Sequence, residues 1–433
     1  MERPTISPPP LVAEGAGLPW DVACADPVAA LAAARRQLGD TFVVDSGDDR
    51  YLFTFSPKGV TSFYALDEAA ASKGVADWRM LRRKVPDEVF AGRRTLPHQL
   101  FGRDDVTTYI ANLERALDIA IDELGTEGML DVFAFTRRLG HRMGFASWAG
   151  PGAADGERFD ALAAAFDALD GAEAFVHPDA MAAVAKSGYA AERTALRQAV
   201  ELISLGLDSH RPGDDLFSRI VERWADEPDD VRREGIALDV VLVHIASMSN
   251  LAAALGWAIV DLVEHPPELS AVREADATLA ELCALESTRL AQRSIMSRYV
   301  LHEVELDVGD ETYTVAPGAT IATLLPLTNA SAGSGLERWE PRRWRGRRLA
   351  DADLLPAVEL VTAFGHGRHR CPAQSFSLTA MGTALRRLSQ RYDLTPAWTT
   401  HPTPVPAQIG GVARAADTCP LQYADRSESR WPS

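Results

Sequence analysis

The chain has 433 residues, 46% of them hydrophobic and 24% charged, with a formal net charge of −17. That balance fits a soluble globular protein, and the surplus of acid argues against a general nucleic-acid binder, which needs surplus Lys and Arg. Four cysteines, Cys24, Cys283, Cys371 and Cys419, are too few and too scattered for a disulfide framework, so a reducing, cytoplasmic setting is expected.

Residues 1–25 open with "MERPTISPPPLVAEGAG", polar and Pro-rich, with no apolar signal core. They read as a loosely tethered arm ahead of one domain covering 26–433. Between 40 and 62, short β-branched and aromatic runs are split by "SGDD", a hairpin signal. Helical spacing then takes over. Over 104–124, Ile110, Leu113, Leu117, Ile121 and Leu124 recur at helical intervals. Further helices are expected at about 128–147, 156–170, 178–208, 213–226, 236–264, 268–291 and 373–391. A second β-rich piece is expected at 299–326. The outline is mainly α with a small β part, with no repeat and no domain linker.

The helix at 236–264 poses a question. From Val240 to Val260, 21 residues pass without Asp, Glu, Lys or Arg, enough to span a bilayer. Yet "HIASMSN" at 244–250 puts His244, Ser247, Ser249 and Asn250 near the centre, and Asp239 and Asp261 close the ends. A buried core helix is the better reading. The serines either bond back to carbonyls of their own helix or form the wall of a site.

Downstream, "ALESTRLAQRSIMSR" (284–298) carries Glu286 and Arg289 at i,i+3, where they share a helix face and can pair. "NASAGSGLERWEPRRWRGRRLADAD" (329–353) has no period; so long an irregular segment inside a compact domain is usually functional. "AFGHGRHRCPAQSFSLTAM" (363–381) follows. Gly365 and Gly367 permit positive φ or close backbone approach. Cys371 ends the loop, and Pro372 suits the first turn of a helix. The positive end of that helix lowers a thiol pKa, which suits a nucleophile or a metal ligand. A buried structural cysteine is the bland alternative. His366, His369 and Cys371 also suggest zinc, although no fourth ligand lies nearby in sequence.

The run F-G-H-G-R-H-R-C-P-A (364–373) resembles the haem-thiolate loop of cytochromes P450, F-G-x-G-x-H-x-C-x-G, with Ala373 where the family usually has Gly. The Glu286/Arg289 pair and then "RWEPRRW" precede it in the family's order, across 286–381. The resemblance implies a cytochrome P450 fold as a single large domain, with its long central helix at about 236–264. It implies haem b (iron protoporphyrin IX) held by the thiolate of Cys371, which pushes electron density onto the iron. His369 and Arg298 are the implied propionate partners, Phe364 and Gly365 further cofactor contacts, and Glu286, Arg289 and Arg343 a structural cluster. The family's early W-x-x-x-R is matched in letters by Trp78 and Arg82, with Arg115 as a substitute.

By the same resemblance the long helix crosses the distal face of the haem. Counting back from His265-Pro266 aligns Ala246 and Ser247 with the family's A-G, Ser249 with its acid and Asn250 with its Thr. The A-S-x-x-N pattern, "RLAQRSIMSR" (289–298) and "TLPHQLFGRDD" (95–105) resemble the group containing cholesterol 7α-hydroxylase, sterol 12α-hydroxylase and prostacyclin synthase. The implied protein is a soluble bacterial monooxygenase of a small lipophilic or amphiphilic molecule, drawing electrons from a ferredoxin and its reductase. The alternatives are a peroxide isomerase or dehydratase that needs no electron donor, and a non-catalytic haem sensor. Asn250, Ser249 and Ser247 are the implied catalytic residues. His244, Ala246, Ser294, Ile295 and Ile409 are implied pocket residues, under a lid from 85–102 and 150–210. Arg338, Arg342, Arg345, Arg347, Arg348, Arg368, Arg370, Arg386 and Arg387 gather on the cysteine side, where they would steer an acidic partner.

Overall fold

A computed structural model of the chain describes residues 3–91, 105–171, 177–213, 215–346 and 355–426. The apolar run singled out above becomes its longest helix, Asp229–Glu264, of 36 residues. The helix starts earlier than its apolar pattern, because Asp229 and Asp230 in the first turn complement the dipole there. It stops at His265, whose backbone leaves the helical region ahead of Pro266.

The neighbours of this helix are chosen by small residues. The helix Val132–Trp148 lies against it. A Cβ on Gly144 would stand 2.8 Å from Met248 Sδ, and one on Gly140 would stand 3.1 Å from Ala252 Cβ. A larger residue at either position would push Met248 or Ala252 aside. Helices Ala190–Asp208 and Ala277–Ala291 complete the surround, so residues Val240–Val243 and Leu251–Val263 are buried. Among the described residues this is the one helix long and apolar enough to cross a membrane, and 67% of its most apolar window is buried in protein.

The two β-rich pieces meet in one sheet. Its order is Thr41–Ser46, Asp49–Thr54, Thr320–Leu324, Ile295–Val300 and Ala71–Ser72. The N-terminal arm is stitched into this region rather than loose. Ile6–Ser7 pairs with Thr312–Val315, Val12 bridges Val43, and Leu18 and Trp20 are buried. At 54% helix and 14% strand the mainly α expectation holds.

Some boundaries moved for local reasons. Residues 57–65 are helical, capped by the Ser56 hydroxyl on the Gly59 N–H, so the hairpin ends at Thr54. Glu127–Asp131 is a strand, because it pairs with Pro420–Asp425 from the far end of the chain. The expected helix at 178–208 breaks at Gly188 and Tyr189, both at positive φ. The one at 268–291 breaks at Ala275, also at positive φ. Most of "TLPHQLFGRDD", with Arg347 and Arg348, lies outside the described residues.

Candidate functional site

The loop 363–373 is closed on itself. The Cys371 N–H donates to the Phe364 carbonyl at 2.7 Å, and Gly365 and Gly367 take positive φ. A Cβ on Gly365 would meet the His369 carbonyl oxygen at 2.9 Å, so glycine is required there. The following helix, Gln374–Arg391, starts two residues after Pro372. Burial raises the Cys371 thiol pKa, outweighing the Ala373 backbone N–H that bonds to the sulfur and the charge of Arg370. The helix-start effect expected from sequence is thus present in sign and smaller than desolvation.

Cys371 faces a cavity of about 990 Å³, at the upper end of the range for small-molecule sites. Ala363, Phe364, Gly365, Phe376 and Met381 line it on the cysteine side. Ala246, Ser247, Asn250, Leu251 and Ala254 line it from the long helix. Thr288, Gln292, Ser294 and Met296 close one flank, with Gly411 and Val412. Glu68, Lys73, Asp77, Arg368 and His369 make one part of the lining strongly polar.

The polar cluster 244–250 divides between two faces. Ser247 and Asn250 reach the cavity. The Ser247 hydroxyl donates back to Val243 O at 2.6 Å, as a satisfied helix serine does. Asn250 Oδ1 accepts the Val412 N–H at 2.9 Å. That bond assigns the amide oxygen and leaves the nitrogen's two N–H donors uncommitted on a residue that lines the cavity. The turn is held in its own right. The Gly411 N–H donates to Ser294 Oγ, Ser294 Oγ to Gln292 Oε1, and Gln292 Nε2 to Ala363 O. A continuous ribbon of hydrogen bonds therefore ties the distal amide to the start of the cysteine loop. The sequence pattern did not point to Gln292 or Val412, because the bonds that commit them span 71 and 162 residues.

His244 and Ser249 face the other way and do not line the cavity. His244 is buried, stacked on Phe145 with centroids 4.2 Å apart and against Phe166 at 4.3 Å. The Trp148 indole N–H donates to its Nδ1 at 3.1 Å. His244 therefore carries its proton on Nε2 and donates to His141 Nδ1 at 2.8 Å. His141 Nε2 in turn donates to Asp167 at 3.1 Å. Burial, with His141 and Arg137 nearby, holds the His244 pKa well below its ordinary value, so it is neutral. The Ser249 hydroxyl donates to Asp170, which also pairs with Lys84. Ser249 anchors the helix to its neighbours and offers no acid to the cavity.

Strand alternation corrects two further pocket assignments. Ser294 and Met296 point into the cavity, so Ile295 between them points into a separate core with Phe53 and Leu324. Ile409 is buried in that same core, and Gly411 and Val412 take its place in the lining. Trp78 and Arg82 stack on one another at 4.4 Å, and neither they nor Arg115 lines the cavity.

The remaining expected partners do converge. Arg289 donates to both oxygens of Glu286, at 2.7 and 2.9 Å, and Arg343 stands 3.5 Å from that carboxylate. The Trp344 indole adds a third donor at 2.7 Å. With Glu286 and Arg289 fully buried, this is a paired and hydrogen-bonded ion cluster of the kind a core tolerates. His369 Nε2 lies 3.1 Å from Glu68, and Arg298 lies 3.6 Å from the same carboxylate. Zinc at this loop is not supported, because His369 is turned to Glu68 and does not gather with His366 around Cys371. Among the described residues no three His, Cys, Asp or Glu side chains gather to hold an ion. A planar macrocycle fits the lining better, since a single thiol faces a wide cavity with carboxylate-seeking groups along part of its wall.

On the arginine-rich side several cations are already paired: Arg342 with Glu268, Arg345 with Asp276 and Arg387 with Asp118. Arg368, Arg370 and Arg386 have no carboxylate partner among the described residues.

The chain is mainly α, and one half-buried thiol, Cys371, faces its long helix across a wide cavity. No family model matches the chain. Among curated proteins it is similar to human 24-hydroxycholesterol 7-alpha-hydroxylase, 23% identical over 43% of each chain. Cytochrome P450-SOY of Streptomyces griseus is 24% identical over 42% of this chain and 40% of its own. Abscisic acid 8'-hydroxylase 1 of Arabidopsis thaliana is 21% identical over 54% and 52%. The chain spans less than half the length of the first of these relatives. Several of the curated proteins it resembles are cytochromes P450, which supports that superfamily.

Proposed function

We propose that the protein is a haem-thiolate monooxygenase acting on a small lipophilic or amphiphilic molecule. The observation that carries this reading is the facing of Cys371 and the Ser247/Asn250 rung across one cavity. Cys371 would hold haem b, and when bound the haem would supply the redox chemistry on dioxygen. Phe364 and Gly365 would pack on its cysteine side. His369 and Arg298 would meet its propionates. The apolar lining, with Leu251, Ala254 and Met296, would exclude water from the substrate. The hydroxylase names of two of the relatives support oxygenation. Arg368, Arg370 and Arg386 would steer an acidic ferredoxin to the cysteine side.

A second reading, a peroxide isomerase or dehydratase, is favoured by one feature. No long-helix residue lining the cavity is titratable, and Asn250 has its oxygen engaged by Val412 and its N–H donors uncommitted. Such a wall can hydrogen-bond an oxygen of the substrate without relaying protons. The first test is the reduced, CO-bound spectrum. A thiolate-type spectrum in the wild type, lost in C371A, is expected, and its absence with Cys371 intact overturns the reading. NADPH consumption with a surrogate ferredoxin and reductase, plus label from isotopic dioxygen in product, marks the monooxygenase. Turnover of a hydroperoxide without electrons marks the isomerase.

A further inference from the structure

At the polar part of the cavity lining a carboxylate already sits among the basic groups. Glu68 Oε2 lies 3.1 Å from His369 Nε2 and 3.6 Å from Arg298 Nη1, and accepts the Lys73 N–H at 3.1 Å. Glu68 Oε1 accepts the Ser72 hydroxyl at 2.6 Å and the Gly74 N–H at 3.0 Å. Glu68 and His369 line the cavity and Arg298 does not. The Arg298 guanidinium is held behind by the carbonyls of Ala71 and Tyr64. Glu68 thus stands between Arg298 and the space in front of it. His369 has one proton to offer at Nε2, and one strong acceptor satisfies it. A second carboxylate approaching these groups meets like charge within a few ångströms.

Resting on the reading that haem occupies this cavity with its propionates toward His369 and Arg298, we infer that Glu68 is a resident competitor for those donors. Haem uptake displaces its carboxylate from His369 and Arg298, and its return favours haem loss. The side chain is 38% exposed, so it has room to swing outward. Lys73, which lines the cavity beside it and pairs with Asp77, is positioned to meet either carboxylate.

The test is the rate of haem loss from the full-length haem-bound protein to excess apomyoglobin. In E68Q the amide oxygen can keep the Ser72 and Gly74 bonds while the charge on His369 and Arg298 is gone. Loss is expected to slow about tenfold, the size of one charge-assisted hydrogen bond regained by the propionate. E68D keeps the charge but withdraws it by one methylene. It guards against a folding defect in E68Q and should slow loss by a smaller factor. Loss at the wild-type rate or faster in both variants overturns the proposal and makes Glu68 an anchor for His369 instead. Cys371 is the same in all three proteins, so the differences in rate read the propionate end. The C371A spectrum tests the parent reading separately, so the two fail distinguishably.

Discussion

The long helix carries polar side chains both toward the cavity and away from it, and the two sets are held differently. Toward the cavity, Ser247 is closed back on its own helix and Asn250 is tethered at its oxygen, leaving one set of free donors. Away from the cavity His244 and Ser249 are spent entirely on partners from other elements, through His141, Trp148 and Asp170. One face keeps hydrogen-bonding capacity in reserve, and the other uses its polar groups as structure. Buried polar groups with complete partner sets rigidify a core, whereas an uncommitted donor in a cavity is available to a ligand.

The largest expected effect lies on the committed face. H244A removes a ring stacked between Phe145 and Phe166 and leaves the Trp148 N–H and His141 Nδ1 without partners. A loss of about 3 kcal/mol of unfolding free energy is expected, from cavity formation and lost hydrogen bonds together. Denaturant unfolding measures it. A loss under about 1 kcal/mol would mean that the aromatic cage closes around the gap and that His244 is not structural.

This division was partly legible. Successive helix residues turn by about 100°, so Ser249 lies about a quarter-turn from Asn250, and His244 about a third of a turn. Aligning all four polar residues with one wall ignored that arithmetic. The cysteine loop and the Glu286–Arg289–Arg343 cluster were legible because the motifs are short, or fixed in order along the chain. The strand Ile295–Val300 was placed four residues late, which hid the alternation that sends Ser294 and Met296 inward and Ile295 away. Glu68, Gln292 and Val412 had no sequence signal. Their roles arise where the β-region, the cysteine loop and the C-terminal turn meet in space.

A second way to sharpen the comparison uses the C-terminal end of the same helix. Asp261 is buried, and burial pushes its pKa up to about 6 against the pull of the Ser287 hydroxyl, His401 and His265, with Glu264 adding to the rise. The folded state therefore binds the proton more tightly than the unfolded chain, where a carboxyl titrates near pH 4. The stability this supplies is complete below about pH 4 and is lost as pH rises through about 6. D261N should gain on the wild type across that interval and then hold a constant advantage of roughly 3 kcal/mol. Melting curves from pH 4 to 8 measure it. A parallel pH dependence in both proteins would show that Asp261 is ionised and fully partnered, as the residues on the committed face are.

The smallest effect on stability belongs to Asn250. In N250D one carboxylate oxygen keeps the Val412 N–H, so unfolding free energy should stay within about 0.5 kcal/mol of wild type. N250A leaves that N–H without its acceptor and should cost about 1 kcal/mol. The functional split is larger, and it separates the two chemical readings. If the wall serves a monooxygenase, N250D introduces an ionisable group beside the reacting space and should preserve or raise the yield of product per NADPH, while N250A lowers it. If the wall serves a peroxide isomerase, what matters is the N–H donor. Both variants then lose hydroperoxide turnover together, because aspartate at neutral pH offers acceptors where the amide offered donors.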